Sequence, residues 1–150
     1  MTLSLNSDEH FMKLALMEAG LAYEKGEVPV GAVIVIRDKV IARSHNLTEA
    51  LMDVTAHAEM QAITSASNHL GGKYLQKCSL YVTLEPCAMC AGALFWSQIG
   101  KVVYGASDPK RGFTNHKQAM LHPKTEIKVG VLAEACSQIL QQFFKERRAK

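Results

Sequence analysis

Apolar residues recur at helical spacing from Asp8 to Lys25, at Phe11, Leu14, Ala15, Ala19 and Ala22. Ser7 and Asp8 are candidate caps for this helix, and Gly26 is a candidate stop. The period then changes. Val30 to Ile36 is a β-branched run suited to a buried strand, Arg37-Asp38-Lys39 turns the chain, and Val40 to Ser44 returns as a hairpin partner. His45 to Thr55 is polar and irregular and reads as a loop. Ala56 to Ser67, rich in Ala, Met and Gln, predicts a second helix, with a break at Gly71-Gly72. Ser79 to Leu84 predicts a short strand that stops at Glu85-Pro86. Proline suits the first helical position, where its missing N–H costs nothing, so a third helix is expected from Pro86 to about Ser97. Lys101 to Tyr104 follows as a strand, and residues 107–125 show no assignable pattern. A last strand, Ile127 to Val131, leads into a terminal helix from Ala133 to about Arg147.

Strands alternating with helices predict an α/β sandwich, a mixed sheet with helices on its faces. The 150 residues suit one domain spanning 1–150, long enough to bury a core without disulfides. Hydrophobic residues at 48% and charged residues at 21% match globular usage and argue against disorder. No apolar run approaches the ~18 residues of a membrane span, and Met1 to His10 does not read as a signal peptide. A cytoplasmic protein with no membrane partner is expected. In a reducing compartment its four cysteines are metal ligands, catalytic thiols or core residues rather than cross-links. The net charge of +3 permits contact with nucleic acid without demanding it. Lys145, Arg147, Arg148 and Lys150 form the one tight basic cluster, read as a solvated helix end that complements the dipole.

Two short patterns carry chemistry: His57-Ala58-Glu59 and Pro86-Cys87-Ala88-Met89-Cys90. Each opens a predicted helix. Cys87 and Cys90 stand three apart and present both thiols on one side, as a shared tetrahedral metal requires. Helix N-termini favour the thiolate, the form that binds metal. Two thiolates and an imidazole suit zinc, one ion per chain. Three protein ligands leave a fourth position for water, the mark of a catalytic rather than a structural site. Such a zinc lowers its water's pKa to about 7. Glu59, two residues from a ligand, is then assigned proton transfer rather than ligation. A structural zinc would need a fourth ligand, but Cys78 and Cys136 lack paired spacing and read as small hydrophobes. A redox C-x-x-C leaves His57 and Glu59 without a role. His10, His45, His69, His116 and His122 have no ligand spacing and read as surface or hydrogen-bonded residues. The scattered methionines, Met12, Met17 and Met52 among them, read as core filling.

The paired patterns, H-x-E then P-C-x-x-C, resemble the cytidine deaminase superfamily. Val28 to Val33, His45-Asn46, Thr55 to Glu59, Tyr81 to Gly92, Ile99 to Gly105, and Phe143-Phe144 with Arg147-Arg148 extend the resemblance to bacterial tRNA-specific adenosine deaminases. That resemblance implies a three-layer α/β/α sandwich with a five-stranded mixed sheet, assembled as a homodimer. It implies conversion of the wobble adenosine of a tRNA anticodon loop to inosine. By the same resemblance Asn46 contacts the base, while Val30 and Ala58 shape the pocket. Asn46 alone would otherwise read as a loop residue making its own turn. The alternative substrate is a small free nucleobase or nucleoside such as guanine, since Phe95-Trp96 resembles the guanine deaminase branch. Residues 112–125 look shorter than the matching segment of the tRNA enzymes. Lys110, Arg111 and Lys117 are candidate phosphate contacts there.

Overall fold

A computed structural model describes residues 7–149. The first helix, α1 (Asp8–Glu24), is capped by Ser7, whose hydroxyl accepts from the His10 N–H at 3.1 Å. Asp8 and Glu9 in its first turn complement the helix dipole. Phe11, Met12, Ala15, Ala19 and Ala22 make its buried face, at the spacing the sequence predicts.

The strands β1 (Gly31–Ile36) and β2 (Lys39–His45) form an antiparallel hairpin, with Ile36 opposite Lys39. Arg37 and Asp38 both take left-handed backbone, φ 49° and 64°, which matches a hairpin turn to the twist of its strands. After α2 (Ala58–Leu70) comes β3 (Cys78–Leu84), then α3 (Ala88–Ser97), β4 (Lys101–Ala106), β5 (Glu126–Val129) and α4 (Ala133–Arg148). The sheet order is β2-β1-β3-β4-β5, with β1 antiparallel to both its neighbours and β3, β4 and β5 parallel.

Alternation along the strands divides the core between two faces. Ala32, Ile34, Leu80, Val82, Val102 and Tyr104 pack with Ala58, Ala62 and Ala66 of α2 and with Ala91 and Leu94 of α3. Val33, Val35, Tyr81 and Val103 point the other way, onto Phe11, Met12 and Ala15 of α1 and Cys136 of α4. The result is the expected three-layer α/β/α sandwich with a five-stranded mixed sheet. Gly31 lets α1 lie close, because a Cβ there would stand 2.0 Å from the Ala15 carbonyl oxygen. Among the described residues no helix is long and apolar enough to cross a membrane.

Some expectations shift. Pro86 is not the first residue of α3. Cys87 is its N-cap, in extended backbone, because the Pro86 carbonyl accepts from the Phe113 N–H at 2.9 Å and Cys87 bridges to Gly112. The segment 107–125 holds one 3₁₀ turn, Phe113–Asn115. Of the methionines, Met12 is buried as expected, whereas Met17 and Met52 are exposed. Cys78 and Cys136 are buried free thiols.

Candidate active site

The strand ends that carry chemistry lie at one end of the sheet. There β2, β3 and β4 finish and the antiparallel β1 begins, so the ends of these strands surround a crevice outside the sheet. His57 and Cys87 hold equivalent posts. Each is an N-cap in extended backbone, of α2 and α3 respectively, and neither side chain caps its own helix. Both side chains turn towards each other instead. The His57 Nδ1 lies 3.7 Å from the Cys87 Sγ and 3.5 Å from the Cys90 Sγ, and all three donor atoms fall within 4.8 Å of one another.

That donor set fits zinc. Zn–S and Zn–N bonds of about 2.3 and 2.0–2.1 Å put tetrahedral N···S edges at about 3.6 Å, between the two distances found. The hydrogen bond from Cys90 holds the Cys87 thiol down at about 3, helped by His57. The same bond, with burial, pushes Cys90 up, and the bond to Cys87 raises His57. Glu59, in the first turn of α2, is 4% exposed. Burial pushes its carboxyl up to about 7, against the pull of its own backbone N–H and of His57.

A cavity of about 720 Å³ opens over this cluster. Its walls are Val28, Val30, Asn46 and Thr48 on one side, with His57, Ala58 and Glu59 from the start of α2. Leu84, Glu85 and Cys87 come from the β3–α3 junction, Ser107 to Arg111 from the loop after β4, and Leu140, Phe144 and Arg148 from α4. Six of the seven residues expected from the sequence therefore line one cavity, and the seventh, Cys90, is buried within the donor cluster. Phe95 and Trp96 are not among the lining residues, and Trp96 is 77% exposed.

Asn46 does make its own turn. Its Oδ1 accepts from the Thr48 N–H and its Nδ2 donates to the Val28 carbonyl, both at 3.3 Å. Bonds that long are weak enough to be exchanged for others. Of the basic C-terminal cluster, Lys150 lies outside the described residues, and two of the other three make contacts beyond their own helix. Arg148 reaches the cavity, while Arg147 donates to the Gly26 carbonyl and lies over the Phe143 ring, 4.9 Å from its centroid. Leu140, Phe144 and Arg148 are spaced by four along α4, a signal of a common face that the sequence carried. Glu85 and Thr48 had no comparable signal.

The profile described as MafB19-like deaminase matches residues 6–148. A Bacillus subtilis protein named tRNA-specific adenosine deaminase is 48% identical over 151 residues, covering 97% of this chain and 94% of the relative. A solved structure described under A-to-I editing by tRNA:A34 deaminases superposes with a TM-score of 0.82 at 46% identity. It covers 87% of this chain and 99% of its own. A guanine deaminase structure from Bacillus subtilis is 40% identical with a TM-score of 0.65, over 67% of this chain and 65% of that one.

Proposed function

The chain belongs to the MafB19-like deaminase family of cytidine deaminase-like proteins, and from that membership we propose that it hydrolyses the wobble adenosine of a tRNA anticodon to inosine. The observation that carries this reading is likeness over nearly the full length of both the chain and its tRNA-deaminase relative. His57, Cys87 and Cys90 would hold a zinc ion, which when bound supplies an acidified, reactive water.

The remaining chemistry falls to the chain's own side chains. A carboxyl poised near 7 exists in both protonation states at neutral pH, which suits a group that must take a proton and return it. Glu59 accepts a proton from the attacking water and passes it to the purine ring. It then carries a proton to the amino group, which leaves C6 as ammonia. Adenosine and water thus give inosine and ammonia, with Glu59 regenerated. Asn46 offers its carboxamide to the base edge in exchange for its weak local bonds, and Val30 and Ala58 form the pocket walls. A cavity of this volume takes a base splayed out of its stack, as an anticodon loop permits. Lys110, Arg111 and Arg148 give the cavity wall three cations suited to flanking phosphates. Residues 1–150 act in this reading as one catalytic unit, a homodimer by family resemblance, in the cytoplasm where its tRNA substrate is met.

The test is deamination by zinc-loaded protein, with Glu59→Ala as control, on an adenosine-containing anticodon stem-loop and on free guanine, adenine, cytosine and cytidine. Inosine in the RNA with the free bases untouched is the expected result. Turnover of guanine alone would overturn the tRNA reading in favour of the guanine deaminase branch.

A further inference from the structure

Glu85 is 3% exposed at the point where β3 gives way to Pro86 and Cys87, and the chemistry described above does not use it. Both of its carboxylate oxygens are engaged by a neighbouring loop. Oε1 accepts from the Asp108 N–H at 2.9 Å, and Oε2 accepts from the Thr114 N–H at 3.0 Å and the Thr114 hydroxyl at 2.7 Å. All three donors belong to the loop after β4. That loop winds tightly around the carboxylate. A Cβ on Gly112 would stand 2.2 Å from it, so only glycine fits there.

The loop also closes on itself. The Asp108 side chain accepts from the Lys110 and Arg111 N–H groups, each at 3.0 Å, and the Asp108 carbonyl accepts from the Gly112 N–H and from Asn115 Nδ2. This turn sets Lys110 and Arg111 in the cavity wall. A buried anion wrapped by loop donors fixes such a segment more firmly than loop contacts alone, because freeing either side leaves a desolvated charge or an unpaired N–H.

We propose that Glu85 is a positioning residue that holds residues 107–114 as the substrate-reading wall of the cavity, setting substrate affinity separately from the chemical step. It rests on the deaminase reading for its substrate, although the hold on the loop is independent of which base is turned over. Glu85→Gln keeps the shape but sets an amide N–H₂ against a loop donor, losing at least one bond.

The experiment combines three readouts on Glu85→Gln and on Thr114→Val, an exposed position where only the hydroxyl is lost. Steady-state kinetics use whichever substrate the wild-type enzyme turns over, hydrogen exchange follows the 107–114 amides, and zinc content is measured directly. Expected for Glu85→Gln is a KM raised by about 10-fold or more, with kcat within about 3-fold and zinc content unchanged. The Asp108 and Thr114 amides exchange faster while β3 and β4 stay protected. Thr114→Val shows the same pattern, weaker, and remains decisive should Glu85→Gln fold poorly. Loop exchange at the wild-type rate in Thr114→Val, or a fall in kcat and zinc content at unchanged KM, would overturn the proposal. If the wild type ignores the RNA stem-loop and deaminates guanine, the tRNA reading fails, and the exchange data still decide the role of Glu85.

Discussion

Glu59 and Glu85 are both buried glutamates at the same cavity, and their surroundings give them opposite characters. Glu85 is surrounded by three loop donors; Glu59 is raised by burial to about 7, a level that suits the proton transfer proposed for it. Glu59→Ala should therefore lower turnover by about 10²–10⁴-fold or more while zinc content, measured on the purified variant, stays that of the wild type. Cys87→Ala should do the reverse at the metal, losing zinc and lowering the melting temperature. Retained zinc in that variant would remove Cys87 from the ligand set. His57, Glu59, Cys87 and Cys90 were legible in the sequence because each pattern is local, a few residues at the mouth of one helix. Glu85 was not. Its partners stand 23 and 29 residues further on, in a segment without periodicity, so no window of sequence could join them.

At the scale of elements, the N-terminus of α1 is tied to the sheet through Asp8. The Tyr81 hydroxyl donates to it at 2.7 Å, Lys128 at 2.6 Å, and Lys101 stands 3.6 Å away. Burial alone would raise the Asp8 carboxyl, but the bonds from Lys128 and Tyr81 and the nearby lysine charges hold it below 3.8. The folded state therefore favours the charged form. Its contribution is complete above the ordinary value and is lost as pH falls through the lower folded value. Melting curves between pH 5 and 2 should show wild type losing stability faster than Asp8→Asn, and parallel curves would count against the tie. Helix and strand order followed from the apolar pattern, down to the Ser7 cap, because α1 buries one regular face and the inner strands are apolar runs buried on both. The start of α3 did not, since tertiary hydrogen bonds to Pro86 and Cys87 keep both residues extended where local preference would begin the helix.

For the whole molecule, the cavity gathers strand ends, two helix starts, a loop and the last helix, and its cations come from the loop and from α4. Three phosphate contacts by Lys110, Arg111 and Arg148 would make stem-loop binding fall by about 20–40-fold between 50 and 200 mM salt. Fluorescence anisotropy on labelled RNA would read this directly, and a flat salt response would remove these side chains from phosphate binding. The contribution of α4 was the least legible part, because a helix face becomes a cavity wall only once the sheet has brought it there. Its lateness in the chain has a consequence for synthesis. The donors at 57, 87 and 90 are synthesised before Leu140, Phe144 and Arg148, by several seconds at about 5–20 residues per second. A chain stalled or cut before α4 would therefore carry all three donors and yet lack one wall of the cavity, so a truncation at about residue 132 separates the donor cluster from the pocket that surrounds it.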